Sequence, residues 1–487
     1  MTHKDIPANR VQYNRTKIVA TVGPASTSPA VLEKMARAGA DVFRINFSHG
    51  DHGVVEQVVH DIREINRRLG IHVSILGDLQ GPKLRIGEVE NNSVDLKDGA
   101  TLMITTEKMV GNAEKVYITY KQFPRDVKPG EIVLIDDGKL ALKVVETNGS
   151  TEVKTLVVHG GMLSSKKGVN LPNTKISLPS LTEKDISDLT FALKQQFDWI
   201  GLSFVRSGAD IIELKHMIRN IAPDSKAKVV AKIEKPEAIL DIDNIIAETD
   251  ALMVARGDLG VEVPMQRVPV LQKMLVRKCL DASIPVIIAT QMMESMITAI
   301  SPTRAEVNDV ANSVMDGADA VMLSGETSVG RHPAKVVEAM SKIITHVEEE
   351  HDLYYIERIP VFSNDVRYIS DQVCYSATQI AKQSNATAII TMTHSGYTAL
   401  RVASYRPKAN VFVFTANQSI LSQLSLVWGV RGFYYDRNIS TDHTVADIMF
   451  HLKRDGYIME GDYIINIASI PLNEKGKTNM IKLSVVE

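Results

Sequence analysis

A chain of 487 residues is too long for one core of ordinary size, so the length predicts two or three domains. Hydrophobic residues make up 44% and charged residues 23% of the chain, a globular balance, and the net charge of −3 gives no reason to expect nucleic acid as a partner. The only cysteines are Cys279 and Cys374, which excludes a disulfide framework. No signal peptide or membrane span is visible, so the sequence predicts a cytoplasmic protein without a membrane partner.

Eight short runs rich in Val and Ile alternate with amphipathic helical patterns. Runs that are apolar at nearly every position are typical of parallel strands buried on both faces. Eight strand–helix units in succession predict an α/β fold of the (β/α)8 TIM barrel type. The runs are residues 17–23, 41–47, 72–78, 198–204, 228–234, 251–258, 285–291 and 318–326.

The segment between the third and fourth runs has a different pattern. Residues 86–172 show short alternating strands separated by turn signals, which predicts a small all-β barrel inserted into the first domain. A domain held by two connections can swing as a lid over the barrel mouth. We therefore expect a catalytic barrel of residues 1–85 and 173–345, a lid of residues 86–172, and a C-terminal α/β regulatory domain of residues 346–487.

Charged residues gather at the C-terminal ends of the predicted strands, where barrels of this type have their active site. The cations there suit an anionic, phosphorylated substrate. They are Arg44, Lys83, Arg85 and Lys232. Glu234 and Asp258 add oxygen ligands from neighbouring strands, an arrangement typical of Mg²⁺. These residue types predict Mg²⁺-dependent phosphoryl transfer on a small phosphorylated acid.

The tripeptide Arg256-Gly257-Asp258 follows an apolar run directly and admits three interpretations. It could be a cell-adhesion loop, an ordinary turn, or the place where a catalytic strand presents its carboxylate. One charged residue at a strand end is more often part of a turn or a salt bridge than a catalyst. The convergence of cations and carboxylates from six or seven strand ends favours the catalytic interpretation.

Several long stretches resemble the pyruvate kinase family, in the order in which that family has them. Residues 229–239, VVAKIEKPEAI, are similar to its active-site signature. The resemblance extends over nearly the whole chain and implies a phosphotransferase (EC 2.7.1.40) that moves the phosphoryl group of phosphoenolpyruvate to ADP, giving pyruvate and ATP. The other matching stretches are residues 43–50, 81–85, 165–172, 253–262, 289–296 and 322–327.

Carried over residue by residue, the resemblance implies roles at the barrel mouth. Glu234 and Asp258 are expected to hold Mg²⁺ or Mn²⁺. Lys232 is expected to stabilise charge on the phosphoryl group and on the enolate, and Arg44 to bind the phosphate, with Arg256 supporting the loop. The substrate carboxylate is expected at Gly257, Asp258 and Thr290. Thr290 and Ser324 lie where a proton could be relayed to the enolate carbon, and the donor stays open.

The resemblance also implies partners. ADP or ATP is expected at Asn46, Phe47, Ser48, His49, Arg85 and Lys167. Members of the family are usually tetrameric, so we expect a homotetramer that binds phosphoenolpyruvate and ADP.

One departure from the family concerns potassium. Many members carry Thr after the Asp of this region and Glu in a Gly-Pro-Glu run, and these generally require K⁺. Here Leu79 follows Asp78, and Lys83 replaces the Glu. We predict that the Lys83 ammonium supplies the charge of a bound monovalent cation, so that activity does not require K⁺. The oxygen ligands of that pocket (Asn46, Ser48, Asp78 and the Leu79 carbonyl) remain and could still bind K⁺; alternatively, Lys83 is one more phosphate-binding cation.

Residues 391–401, TMTHSGYTALR, predict a strand, a tight turn and a helix. N–H groups and hydroxyls in such a turn can form an anion nest, and the matching loop of the family binds a phosphate of an activating sugar phosphate. Tyr397 stands where some members carry Arg, so a sugar phosphate or AMP effector and a capped helix without a ligand are equally supported. The candidate effector residues are Thr393, His394, Ser395, Gly396, Thr398, Lys475 and Lys477.

Two other functions stay open. A lyase or mutase that handles phosphoenolpyruvate or pyruvate would share the metal site and need no nucleotide, but Lys167 and Arg85 favour the kinase. A regulatory or adhesion-type binding protein that had lost catalysis would be expected to lack Lys232 or a metal ligand, and all are present.

Overall fold

The computed structural model describes residues 11, 13–48, 50–350, 353–362, 367–437, 441–470 and 478–487. Its strands fall into four groups along the chain. The first group is β1 (Lys17–Val22), β2 (Val42–Asn46) and β3 (Ser74–Asp78). The second is β4 (Ser93–Leu96), β5 (Thr101–Thr105), β6 (Lys115–Tyr117), β7 (Ile132–Ile135), β8 (Leu140–Thr147), β9 (Glu152–His159), β10 (Gly161–Ser164) and β11 (Val169–Asn170). The third is β12 (Trp199–Leu202), β13 (Lys228–Ile233), β14 (Ala251–Ala255), β15 (Val286–Ala289) and β16 (Ala320–Leu323), and the fourth is β17 (Ala388–Met392), β18 (Asn410–Thr415), β19 (Val430–Tyr434), β20 (Tyr463–Ala468) and β21 (Met480–Val485).

The helices lie mainly between the strands of the barrel and of the C-terminal sheet. They are α1 (Pro29–Ala38), α2 (His52–Leu69), α3 (Phe123–Asp126), α4 (Glu183–Lys194), α5 (Gly208–Ile221), α6 (Pro236–Leu240), α7 (Ile242–Glu248), α8 (Arg256–Glu262), α9 (Val268–Ala282), α10 (Arg304–Met315), α11 (Gly325–Ser328), α12 (Pro333–Glu350), α13 (Tyr368–Ser384), α14 (Tyr397–Ser404), α15 (Gln418–Leu424) and α16 (Thr441–Arg454). Local sequence sets several of their ends. Thr182 with Asp185 forms a capping box that starts α4, and Gly39, at φ 114°, ends α1 in a conformation that glycine adopts without strain.

The first and third groups of strands form one closed parallel barrel, in the order β1-β16-β15-β14-β13-β12-β3-β2. All eight strands fall within the eight predicted runs, so the prediction of a TIM barrel is confirmed. The strands are buried on both faces because side chains fill the interior and helices cover the outside. Their register puts Asn46 beside Asp78, so polar residues of neighbouring strands meet at one end.

The inserted segment forms a separate, sheet-rich domain. Its six-stranded sheet has the order β11-β7-β8-β9-β5-β6, and a two-stranded sheet pairs β10 with β4. One apolar core extends from Leu84 to Leu171, and it gives this domain its own stability. We refer to this domain as the lid. The predicted inserted β domain is confirmed, while its proposed limits at residues 86 and 172 stay a prediction.

The C-terminal domain has a five-stranded sheet in the order β19-β18-β17-β20-β21, parallel except for β21. Helices cover both faces over two apolar cores, so the predicted α/β domain is confirmed. Within the described residues, no helix combines the length and the apolar character that crossing a membrane requires.

The C-terminal domain packs against the N-terminal ends of the barrel strands. Leu426, fully buried, belongs to the cluster of side chains inside the barrel. Beside it, the Ser74 hydroxyl donates to the Ser422 carbonyl at 2.6 Å and the Lys17 ammonium to the Val430 carbonyl at 3.0 Å. Because this end of the barrel is covered, its accessible mouth is the opposite end.

Candidate active site

A buried network of charges crosses the barrel mouth from β2 to β13. Asp78 ends β3 and is 1% exposed. Arg44 donates to Asp78 Oδ2 from Nε at 2.7 Å, and the Lys232 ammonium lies 3.1 Å from Asp78 Oδ1. One buried carboxylate therefore pairs with two of the predicted phosphate-binding cations. Charged side chains can be buried in this way only when they are paired with opposite charges.

Lys232 has two further partners. Its ammonium lies 2.9 Å from Glu234 Oε1 and donates to the Ser203 hydroxyl at 2.7 Å. Burial on its own would lower the pKa of Lys232, but the carboxylates of Asp78 and Glu234 outweigh it and raise the pKa above its ordinary value. Lys232 is therefore a fixed positive charge at neutral pH, suited to stabilising an anion and unsuited to acting as a base.

Asp78 stays ionised because the two neighbouring cations stabilise its charge. Burial works to raise its pKa, but Lys232 and Arg44 together bring the pKa below its ordinary value. The charge of Asp78 orients both cations towards the centre of the mouth.

Glu234 and Asp258 form the predicted carboxylate pair, just beyond β13 and β14 respectively. Glu234 Oε2 accepts the Phe204 N–H at 2.9 Å, where Phe204 has the left-handed φ of 54°. Burial raises the pKa of Glu234, and the repulsion of Asp258 adds to this while Lys232 opposes it. A buried carboxylate whose charge is disfavoured in this way suits binding of a divalent cation.

Among the described residues, no three or more His, Cys, Asp or Glu side chains are grouped in a way that could hold a metal. Mg²⁺ next to phosphates is usually held by one or two carboxylates, with substrate oxygens and water in the other positions.

The tripeptide at the end of β14 begins α8 and is joined to the loop after β15. Arg256 makes a bidentate ion pair with Asp309, both bonds at 2.7 Å, and donates to the Thr290 carbonyl at 2.7 Å. The Gly257 N–H donates to the Thr290 hydroxyl at 2.7 Å. Arg256 thus supports the loop as expected, and the adhesion interpretation fails because this Arg side chain is committed inside the fold.

Thr290 itself has φ 70° and Gln291 has φ 54°. A positive φ is costly for a β-branched residue, and such strain is typical of functional sites. A Cβ at position 257 would lie 3.3 Å from the Thr290 hydroxyl, so any larger residue there would require Thr290 to shift by a few tenths of an ångström. The strained turn brings the hydroxyl of Thr290 against the backbone of α8.

Ser324 follows β16 at the neighbouring position around the barrel. Its hydroxyl is buried and has no hydrogen-bond partner among the described residues. Its N–H donates to Glu326 Oε2 at 2.6 Å. The side chain of Ser324 is therefore available to a group that enters the mouth.

The predicted nucleotide residues divide between β2 and the lid. Asn46 Oδ1 accepts the Ser48 N–H at 3.0 Å, and Phe47 is fully buried. His49 lies outside the described residues. In the lid, the Lys167 ammonium lies 2.8 Å from Asp136 Oδ1, and Arg85 donates to the Lys166 carbonyl at 2.9 Å.

The oxygens predicted to form a monovalent-cation pocket already have donors. Asp78 pairs with Arg44 and Lys232, the Leu79 carbonyl accepts the Ser203 hydroxyl at 2.7 Å, and Asn46 accepts a backbone N–H. Lys83 does not pair with Asp78. Its side chain is exposed and makes no hydrogen bond or ion pair within the described parts of the chain.

The predicted effector loop joins β17 to α14. Thr393 accepts the Gly396 N–H at 2.9 Å, and His394 and Ser395 are exposed. Thr398 lies 3.0 Å from Thr478 Oγ1. The Tyr397 hydroxyl donates to the Asp371 carboxylate at 2.6 Å, so it does not add a polar group to the turn. Lys475 and Lys477 lie outside the described residues.

Four residues near the mouth were missed by reasoning from the sequence. Ser203, at the end of β12, links Lys232 to the Leu79 carbonyl, and applying the strand-end rule to the fourth run would have found it. The Asn170 side chain of the lid donates to Glu262 Oε1 at 2.8 Å, and Lys235 lies 2.6 Å from the same oxygen. No local pattern signals that contact, because it joins positions 92 residues apart.

Comparison with known proteins shows the family of the chain. Residues 13–337 match the family profile described as pyruvate kinase, barrel domain, and residues 371–484 match the one described as pyruvate kinase, alpha/beta domain. A pyruvate kinase of Corynebacterium glutamicum is 44% identical over 97% of this chain and 98% of its own length, and one of Geobacillus stearothermophilus is 40% identical over 97% of this chain and 80% of its own. The crystal structure of a pyruvate kinase from Cryptosporidium parvum superposes with a TM-score of 0.91 at 34% identity, covering 97% of this chain and 96% of that one. The resemblance seen in the motifs thus extends to both domains and to the fold, and the chain belongs to the pyruvate kinase family.

Proposed function

We propose roles for the residues at the barrel mouth in the reaction that defines the family. The chain is a phosphotransferase that moves the phosphoryl group of phosphoenolpyruvate to ADP, giving pyruvate and ATP, the last step of glycolysis. The observation that carries the assignment of roles is the buried Lys232 ammonium, held between Asp78 and Glu234. In phosphoryl transfer, catalysis consists mainly of such positioning and charge stabilisation.

Lys232 and Arg44 bind the phosphoryl group and the developing enolate. Both side chains are oriented by Asp78, so little reorganisation accompanies the reaction. The fixed charge of Lys232 stabilises negative charge on the transferring group and on the enolate oxygen that remains.

Glu234 and Asp258 would hold Mg²⁺, or Mn²⁺ in its place. When bound, the metal would supply positive charge that neutralises the phosphates. In support, burial raises the pKa of Glu234 in the chain alone, and the charge of Asp258 adds to this while Lys232 opposes it.

The backbone N–H groups of Gly257 and Asp258, together with Thr290, receive the carboxylate of phosphoenolpyruvate. In the chain alone the Gly257 N–H donates to the Thr290 hydroxyl at 2.7 Å and that hydroxyl donates to the Ala289 carbonyl at 2.6 Å, so a bound carboxylate would take the Gly257 N–H over from Thr290. Thr290 and Ser324 then relay a proton to the enolate carbon, and the unpartnered, buried hydroxyl of Ser324 suits that role.

ADP binds between β2 and the lid. The residues assigned to it are Asn46, Phe47, Ser48, His49, Arg85 and Lys167. Lys167 pairs with Asp136, which also has Lys139 at 3.1 Å, so a phosphate that recruits Lys167 leaves Asp136 with a partner.

Activity is proposed not to require K⁺. Asp78 has two resident cations, and the exposed Lys83 adds a third positive charge that is not bound to a carboxylate of the described residues. Asn46, Ser48, Asp78 and Leu79 form the pocket in which K⁺ could still bind.

Further proposals concern the whole protein. A sugar phosphate or AMP binds the loop of Thr393, His394, Ser395, Gly396 and Thr398, with Lys475 and Lys477 contributing charge. The protein is a cytoplasmic homotetramer, and its two buried free thiols suit a reducing compartment. The domain limits are those predicted from the sequence.

The test is pyruvate formation from phosphoenolpyruvate, ADP and Mg²⁺. We expect pyruvate and ATP in equal amounts, and none without ADP. Pyruvate released without ADP would instead favour a lyase. Folded protein with no activity on either mixture would contradict the proposed roles.

A further inference from the structure

Glu326 is a buried carboxylate at the barrel mouth that none of the roles above uses. It lies in α11, two residues after Ser324, and is 2% exposed. Within the described residues it forms no ion pair with a Lys, Arg or His side chain. A buried charge without a cation is costly, so its hydrogen bonds must provide the compensation.

Both carboxylate oxygens of Glu326 accept backbone N–H groups. Oε2 accepts the Ser324 N–H at 2.6 Å, and Oε1 accepts the Met293 N–H at 3.0 Å. Met293 belongs to the loop after β15, and Ser324 to the loop after β16. One side chain therefore joins the two loops that carry Thr290 and Ser324.

The two loops need such a connection because both have unfavourable backbone conformations. Thr290 and Gln291 have positive φ, and Ser324 has φ −111° with ψ −98°, outside the regular regions. Conformations of this kind persist only when surrounding contacts hold them. The loops also pack directly, since a Cβ at Gly325 would lie 3.0 Å from the Ile297 side chain.

We propose that Glu326 is a positioning residue for protonation of the enolate, acting by fixing the relative placement of the Thr290 and Ser324 hydroxyls. In that step, a proton from solvent reaches the enolate carbon through these hydroxyls, a C–H bond forms, and the enolate oxygen becomes the carbonyl of pyruvate. This inference rests on the proposed function. Phosphoryl transfer, which depends on Lys232, Arg44 and the metal ligands, does not pass through Glu326.

A carboxylate is required for this role because it offers an acceptor oxygen to each N–H at once. The amide of Gln has one acceptor oxygen, and its NH₂ group would face an N–H. Glu326→Gln thus preserves size and removes one of the two connections. Asp has both oxygens but is shorter by one methylene, so Glu326→Asp can reach only one loop.

Glu306 offers a matched control. It accepts the Ser295 N–H at 2.7 Å and the Thr303 N–H at 2.7 Å, so it also holds the loop after β15. It contacts neither the Met293 nor the Ser324 N–H. Glu306→Gln therefore loosens the same loop at its outer end without separating Thr290 from Ser324.

The experiment compares wild type, Glu326→Gln and Glu306→Gln in steady-state kinetics, in water and in deuterated water. It also measures exchange of the methyl protons of pyruvate with deuterated solvent in the presence of ATP and Mg²⁺. For Glu326→Gln we expect kcat to fall by about 10- to 100-fold, the effect of misplacing a reacting group by a fraction of an ångström. The KM values stay near those of wild type, the solvent isotope effect on kcat rises, and methyl exchange slows. Glu306→Gln behaves as wild type in all four measurements.

The outcomes separate this inference from the proposed function. Wild type without ADP-dependent pyruvate formation would contradict the proposed function itself. With active wild type, an unchanged kcat and isotope effect in Glu326→Gln would overturn the role of Glu326, as would equal losses in the two variants or a change in KM alone. If Glu326→Gln does not fold, Glu326→Asp is measured in its place, with the same expected and overturning results.

Discussion

The ammonium of Lys232 lies 3.1 Å from the carboxylate of Asp78, and both side chains are almost completely removed from solvent. Each group keeps the other charged: the pKa of Lys232 is raised and that of Asp78 is lowered against the effect of burial. The charge that stabilises the reaction therefore depends on a residue of another strand, and Lys232 cannot be considered without Asp78.

Lys232→Gln is expected to lower both activity and stability. The substitution leaves Asp78 and Glu234 without the cation between them, so the free energy of unfolding should fall by about 3–5 kcal/mol, as measured by urea unfolding. Loss of a preorganised charge should lower kcat by about 10²- to 10³-fold. The control is Lys228→Gln at the other end of β13, where Lys228 lies 3.7 Å from Asp250 at a more exposed position. Similar losses in the two variants would contradict a special role for the buried cation.

Lys83→Glu is expected to create a requirement for K⁺. Wild type should be as active in K⁺-free buffer as with K⁺, because the Lys83 ammonium adds its charge to those of Arg44 and Lys232 around Asp78. The variant reverses the charge at an exposed site, so its stability should change by less than about 0.5 kcal/mol. Lys128→Glu, at another exposed position, controls for net charge. Wild type that is active only with K⁺ would reject the role of Lys83.

Asn170→Ala is expected to weaken ADP binding selectively. The substitution removes the 2.8 Å hydrogen bond from the lid to Glu262 on α8. If this hydrogen bond contributes about 1 kcal/mol to the free energy that favours the closed lid, its loss should raise the KM for ADP about fivefold. The KM for phosphoenolpyruvate should stay unchanged. Asn148→Ala is the control, because the hydrogen bonds of Asn148 stay within its own lid turn. An equal rise in both variants would show that the contact does not orient the lid.

Sugar phosphates and AMP are expected to activate at subsaturating phosphoenolpyruvate if the loop after β17 binds a phosphate. Ser395→Asp places a carboxylate in the exposed part of that loop and should abolish activation by repulsion, while kinetics without effector stay unchanged. Titration of both ligand classes against wild type and variant measures this. A flat response of wild type to every compound would mean that the loop only caps α14.

The two thiols are expected not to react in the folded protein. Burial raises the pKa of Cys374 to about 12 and that of Cys279 well above its ordinary value, so neither forms appreciable thiolate at pH 8. A chromogenic disulfide reagent should label no thiol in the native protein and two after unfolding in urea. Rapid labelling of the native protein would contradict the burial of these side chains.

The sequence predicted the barrel because each strand is an apolar run of a length that only a doubly buried parallel strand explains. It predicted the carboxylates and cations of the mouth because, in a barrel of this type, the C-terminal end of every strand lies at the mouth. Glu234, directly after β13, is an example. It could not predict that Asp78 joins Arg44 to Lys232, since this depends on strand register and side-chain direction. The sequence also could not predict that the Lys83 side chain is exposed, because a Gly-Pro turn does not specify the direction of the next side chain.

Leu426, from the C-terminal domain, completes the packing inside the lower end of the barrel. Around it, Arg406 forms a buried ion pair with Asp319 at 3.1 Å, immediately before β16, and the Trp428 N–H donates to the same carboxylate. A fragment cut after the barrel would lose this apolar side chain and leave Asp319 without its Arg406 partner, beneath the strand that leads to Ser324. An exchange of the C-terminal domain between relatives should therefore transfer Leu426, Arg406 and Trp428 together.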